Sequence, residues 1–210
     1  MSLLTKIKHF FIPETTDFFA DLTRQCITVT KLVEEIPTAI TERAHSGVSA
    51  HFNNLLDVYV TQRKQYLQIL NKAFVTPVDK EAISRVYVHL HWIVLSVEHL
   101  LVEIESYSIQ EINNFKKVSF YMNCAMKSLT SAIKHLNKNE SEHVLYEIAK
   151  VIEADDNLIK VYANTLSGLF KQEQIEPILE QREVLAQLKE ISKRIHICSN
   201  QIEDIVYKLN

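Results

Sequence analysis

Glycine and proline are scarce in this chain: 210 residues hold two Gly and four Pro, where average usage gives about 15 and about 10. Few turn formers mean few turns, so the chain reads as a small number of long helices. Rossmann and P-loop phosphate cradles need clustered glycines, and neither Gly47 nor Gly168 has a second beside it. The same composition excludes a many-stranded β-sandwich and a disordered tail.

Charge of one sign is also missing. The formal net charge is −3, and it divides almost evenly on either side of Tyr107, so there is no basic half for nucleic acid. The longest charge-free hydrophobic stretch, Val86 to Val97, is 12 residues, well short of the ~18 needed to span a bilayer. It reads as a buried helix segment. The opening MSLLTKIKHFFIP lacks an uninterrupted apolar region and a small-residue cleavage site, so no signal peptide is expected. Cys26, Cys124 and Cys198 are odd in number, scattered and set in apolar periodic segments. They read as reduced core thiols of a cytosolic protein rather than as disulfide or zinc ligands.

What the chain does contain is six apolar seams, each with helical spacing. The first, over about Glu14 to Glu35, runs Phe18, Leu22, Cys26, Val29, Val33 and Ile36, and Pro37 is expected to close it. The second, about Ser46 to Phe74, carries Val48, Phe52, Leu55, Tyr59, Tyr66, Ile69 and Ala73. Asp79 is the expected N-cap of the third, with Ile83, Val86, Leu90, Ile93, Val97, Leu101 and Ile104. Ser108 is positioned to cap the fourth, which carries Phe115, Val118, Met122, Ala125, Leu129, Ala132 and Leu136. After the break LNKNESE, Ser141 is expected to cap the fifth, with Leu145, Ile148, Ile152, Ile159, Tyr162, Leu166 and Leu169. Pro177 suits the first turn of the last, whose seam is Leu185, Leu188, Ile191, Ile195, Cys198, Ile202 and Ile205.

Seams that alternate three and four residues pack helices at about +20°, and short joints make successive helices antiparallel neighbours. The expected fold is therefore all-α, an elongated up-and-down six-helix bundle. A weak internal repeat supports two three-helix halves. Leu70-Asn-Lys-Ala-Phe74 and Leu166-Ser-Gly-Leu-Phe170 each end a helix shortly before a proline that introduces the next. Repeat one covers about 14–107 and repeat two about 108–208, within one domain of residues 1–210.

The segment LNKAFVTPVDKEAI, residues 70–83, resembles the hallmark LN-x-TFITPFDREDI of the PhoU-like phosphate transport regulators. The opening, with Phe10, Phe11, Pro13, Phe18 and Phe19, is similar to that family's opening, and so is the ending Ile202-Glu203-Asp204-Ile205-Val206. The resemblance spans essentially the whole chain. It implies a six-helix protein of two three-helix repeats whose facing helices carry acidic motifs that bind multinuclear metal clusters. Carboxylates four apart share one helix face, and two such faces supply the oxygen ligands of a cation.

Counted from the anchor segment, the first repeat's ligand positions hold Leu56 and Val60, then His91, Trp92 and Leu95. In the second repeat they hold Asp155 and Ile159, then Lys189, Glu190 and Lys193. The metal motifs are thus largely replaced, and no cofactor is expected. Four side chains remain as remnants: Asp57, beside the first motif; His91, alone or with Glu98 and His99; and Asp155 with Glu190. Asp155 sits on an apolar seam, where an unpaired carboxylate is costly. It reads either as a residual ligand paired with Glu190, or as the partner of Lys189 or Lys193, or as exposed at a bundle edge. His45 and His51 do not share a helix face, and the other histidines show no ligand spacing.

The third helix is apolar nearly all round once Tyr87, Val88, Trp92, Val94 and Leu95 join its seam. The former acidic face therefore reads either as a hydrophobic interface, with Trp92 and Leu95 meeting another subunit or a membrane transporter, or as packing between the two halves. No nucleophile elbow or repeated set of carboxylate ligands is found, so no enzyme is expected. The resemblance implies a non-enzymatic cytoplasmic accessory protein acting on an inorganic phosphate transporter at the inner face of the membrane, as a homo-oligomer. The alternative is a helical scaffold or oligomerisation protein with neither metal nor phosphate role.

Overall fold

The computed structural model describes residues 17–42, 50–107 and 113–210, and every regular element among them is an α-helix. In chain order these are α1 (Phe18–Glu34), α2 (Ile36–Glu42), α3 (Ala50–Lys72), α4 (Lys80–Ser106), α5 (Asn113–Leu136), α6 (Ser141–Leu169) and α7 (Ile175–Leu209). With α1 and α2 as one interrupted helix, they form the expected all-α six-helix bundle. Phe10, Phe11, Pro13, His45, Gly47, Val48 and the expected cap Ser108 lie outside the described residues.

Local signals decide most helix ends. Asp17 caps α1 by accepting from the Ala20 N–H at 2.9 Å, and Asp79 caps α4 by accepting from the Ala82 N–H at 2.8 Å. Pro37 does not close the first helix. The chain breaks for one residue at Glu35 and becomes helical again at Ile36, with Pro37 in the first turn, where its missing N–H leaves no bond unmade. Ser141 is not the cap of the fifth long helix either. Glu140 holds that position and makes no side-chain cap bond, because its carboxylate is taken by His135 Nδ1, 2.5 Å away. The α5–α6 joint is a tight reversal. The Glu140 N–H bonds the His135 carbonyl at 3.1 Å and the Asn139 N–H bonds the Leu136 carbonyl at 3.0 Å. Asn139 adopts φ 58°, the left-handed conformation that asparagine tolerates.

Packing then selects among the apolar residues. The predicted seams of α4, α5 and α7 are buried throughout. Two others shift. In α3 Leu70 is buried and Ile69 is exposed. In α6 the buried stripe is Val144, Ile148, Val151, Asp155 and Leu158, while Leu145 and Ile152 are only half-buried and Ile159 is exposed. The sequence of α6 carries two adjoining apolar stripes of equal spacing, and the one nearer α5 and α7 becomes core. Each fully buried Leu, Ile or Val contributes about 1.5–3 kcal/mol relative to exposure.

The chief contacts between the first three long helices and the last three run from α4 to α7 and from α1 to α5. The α4–α7 pair is antiparallel and tied at both ends: Lys208 Nζ to Asp79 at 3.1 Å, and Gln187 Nε2 to Glu103 at 2.9 Å. The α1–α5 contact includes Cys26 Sγ and Thr30 Oγ1 at 3.2 and 2.7 Å from Thr130 Oγ1. At ~1.5 Å per residue, the 35 residues of α7 extend about 52 Å, giving an elongated molecule. Among the described residues no helix is long and apolar enough to cross a membrane.

Candidate functional site

The positions that the resemblance marks as metal ligands lie on α3 and α4, then on α6 and α7. On α3, Leu56 is half-buried, Val60 is exposed and Asp57 is exposed. On α4, His91 and Leu95 are half-buried, whereas Trp92 is 45% exposed. The imidazole of His91 stacks on the ring of Tyr59, centroids 6.1 Å apart and planes 14° apart. Burial, aided by the nearby Arg63 cation, holds its pKa below the usual histidine value. It is therefore neutral at pH 7, with Nδ1 buried and unbonded in this structure. Among the described residues His91, Glu98 and His99 do not form a three-ligand group.

Trp92 faces the other half of the molecule as well as solvent. The guanidinium of Arg194 on α7 sits 5.0 Å from its ring centre, and Arg194 also pairs with Glu190 at 2.9 Å. Both readings of Trp92 thus have a structural counterpart, because one ring face packs between the halves while part of the side chain remains open. Val88, one turn before it, is exposed too.

Asp155 is buried, and it is paired neither with Glu190 nor with a lysine. Ser192 donates to its Oδ1 at 2.6 Å, and His196 Nδ1 lies 2.9 Å from its Oδ2. Ser192 and His196 are one turn apart on α7, so a single carboxylate from α6 is held by two polar groups of the facing helix. That answers the cost of burying it. Glu190 is engaged by Arg194 instead, and Lys189 lies 4.8 Å over the Tyr162 ring. Sequence reading missed His196 because it lies on the other helix, 41 positions from Asp155. Although Asp, His and Ser meet here, the serine donates directly to the aspartate. Among the described residues no imidazole accepts its proton, which nucleophilic catalysis requires.

Two further features stand out among the described residues. Phe74 and Val75, in the α3–α4 connection, are 97% and 71% exposed. The Asp79 cap follows four residues after Val75, so the segment 70–83 builds a firm helix start behind an apolar tip. The second feature is the group His135, Glu140 and His143, whose donor atoms all lie within 4.8 Å of one another. Glu140 and His143 are three residues apart at the start of α6, and the chain reversal brings His135 to them.

The polar interior between α1, α3 and α4 is the remaining dense cluster. Arg24 bonds Asp21 and reaches the Tyr66 hydroxyl at 3.3 Å, Tyr66 stacks on Tyr87 at 6.2 Å, and Thr28 donates to Gln62 at 2.9 Å. Burial raises the Asp21 pKa against the pull of Arg24. Burial also raises the thiol of Cys26 to about 12 and that of Cys198 well above its ordinary value. All three cysteines are unpaired thiols, Cys124 being half-buried, so a metal or redox role for Cys26 and Cys198 has no chemical support.

The chain is 26% identical to the UPF0111 protein YkaA of Bacillus subtilis (strain 168) over 164 residues, 75% of this chain and 80% of that protein. No protein-family model matches the chain.

Proposed function

We propose that this chain is a PhoU-like, non-enzymatic accessory protein of inorganic phosphate transport that acts through protein contacts at the cytoplasmic face of the membrane. The observation that carries the reading is the resemblance through LNKAFVTPVDKEAI, residues 70–83, within a six-helix bundle. The similarity to a UPF0111 protein over most of both chains supports it. Action by contact rather than through a metal cluster is supported by the residues at the acidic positions, where Leu56, Val60, Trp92 and Leu95 offer no ligand atom. Phe74, Val75 and the open edge of Trp92 are among the exposed apolar surfaces and are the ones this reading assigns to a transporter. The Asp155–Ser192–His196 arrangement serves packing of α6 on α7 in this reading, not catalysis.

The test is uptake of inorganic phosphate in a strain lacking the chain, together with co-purification of its phosphate transporter from membranes. Deletion changes uptake, the wild-type chain recovers the transporter, and Phe74→Asp and Trp92→Asp each lower the recovery. If uptake is unchanged by deletion and no transporter is recovered, the reading is wrong.

A scaffold reading draws on a different surface. Ile159 is exposed on α6, with Tyr162 and Leu166 half-buried beyond it. We propose this second stripe as the self-association face of a homo-oligomer. Light scattering of Ile159→Asp against wild type tests it: the variant has the smaller mass if the stripe is the contact and an equal mass if it is not.

A further inference from the structure

The α5–α6 reversal carries a cluster that neither the resemblance nor the proposed transporter contact uses. His135 lies in the last turn of α5 and His143 in the first turn of α6, and Glu140 stands between them at the helix start. Their rings stack with centroids 5.1 Å apart and planes 19° apart. Glu140 Oε2 is 2.5 Å from His135 Nδ1, and one donor atom from each residue falls within a 4.8 Å group.

Three physical points set this group apart from a chance meeting of surface side chains. The backbone beneath it is locked by the paired 6→1 and 5→2 bonds and the left-handed Asn139, so the side chains start from fixed points. Glu140 leaves its own helix uncapped and turns its carboxylate toward the imidazole, giving up a bond that an N-cap side chain ordinarily makes. Two nitrogens and one carboxylate oxygen are the donor set of zinc and its neighbours in the first transition row. Magnesium and calcium take oxygen ligands throughout.

We propose that His135, Glu140 and His143 form a binding site for one divalent transition-metal ion of the zinc type, clamping the end of α5 to the start of α6. Metal–ligand bonds of about 2.0–2.1 Å put the donors of a tetrahedral centre roughly 3.3 Å apart, between the 2.5 Å His135–Glu140 contact and the 4.8 Å span of the group. The fourth position faces solvent on the side of the exposed His143 and takes water. The site lies at one end of the bundle, on residues distinct from the positions where the resemblance places carboxylates.

The experiment is a titration of untagged, chelator-treated protein with zinc chloride, followed by calorimetry and by thermal unfolding. One equivalent binds and Tm rises, since an ion that binds only the folded state stabilises it. Magnesium chloride has no effect. His143→Asn and Glu140→Gln each weaken zinc binding about tenfold or more and reduce the rise in Tm. Amide exchange over residues 134–144 slows on zinc addition in the wild type and not in His143→Asn. His143 is exposed, so His143→Asn leaves the fold intact, which circular dichroism checks. If wild-type protein takes up no zinc, or if both variants bind it as tightly as wild type, the cluster is an ion pair with a ring stack and the proposal is overturned.

Discussion

The guanidinium of Arg194 lies over the ring of Trp92, 5.0 Å from its centre, while the ring remains 45% exposed. The contact joins α4 to α7, and Arg194 also pairs with Glu190 one turn before it at 2.9 Å. A cation over an indole contributes about 0.5–1 kcal/mol at an exposed site. Trp92 is the one tryptophan in the chain, so intrinsic fluorescence reports this contact directly. Arg194→Ala opens the covered ring face to water. The emission maximum moves to longer wavelength and the urea midpoint falls slightly, whereas Lys189→Ala, which removes a cation from Tyr162, leaves the emission maximum in place.

Asp155→Ala leaves Ser192, which is fully buried, without its acceptor. Stranding one buried hydroxyl costs about 1–3 kcal/mol. His196 is 31% exposed and turns to water, so it adds little. In a double-mutant cycle under urea, Asp155→Ala combined with Ser192→Ala destabilises less than the sum of the two single changes. An additive cycle would show that the hydrogen bond contributes nothing to stability.

Acid acts on the start of α4. The Ala82 N–H and then the Lys208 ammonium favour the charged form of Asp79 and hold its pKa below the ordinary aspartate value. A carboxyl with a lowered folded pKa contributes stability that is present above its unfolded pKa and is lost as pH falls through the folded one. Asparagine keeps the capping oxygen and removes the charge. Urea midpoints measured from about pH 7 down to about pH 3 therefore fall less steeply for Asp79→Asn than for wild type.

Exposure separates surface from core in the two halves of one hairpin. Phe74→Ser changes stability by no more than about 0.5 kcal/mol, because its side chain is 97% exposed. Leu90→Ala empties a fully buried position on α4 and costs about 2–5 kcal/mol. Chemical denaturation of both variants checks the pair, and a large loss in Phe74→Ser would mean that the tip packs on the protein after all.

Thiol chemistry follows burial. Cys124 is half-buried, while Cys26 and Cys198 are fully buried with raised pKa values. A disulfide reagent added to native protein at pH 8 labels Cys124 first, and the other two react after denaturation. Rapid labelling of Cys198 in the native state would contradict the packing of α7.

The helical class, the long elements and the capping role of Asp79 were legible from residue order, since each depends on neighbours within one or two turns. Glycine scarcity and the three-and-four spacing of Ile83, Val86, Leu90 and Ile93 pointed to one answer. Where two local answers were equally good, the chain alone did not choose. The α6 stripe through Ile152 and Ile159 has the same spacing as the one through Val151 and Leu158, and contact with α5 and α7 made the second the core. Pro37 likewise satisfies both a helix end and a helix start.

The sequence by itself determined an all-α chain with few turns, its motif at residues 70–83, and the apolar side chains Leu56, Val60, Trp92 and Leu95 at positions where the resemblance places carboxylates. Only the tertiary structure decided that Asp155 is held by Ser192 and His196, that Glu190 belongs to Arg194, and that His135, Glu140 and His143 converge. Helical periodicity relates residues on one helix face, but partners on different helices meet through chain reversals and crossing axes, whose geometry exists only once the bundle has packed.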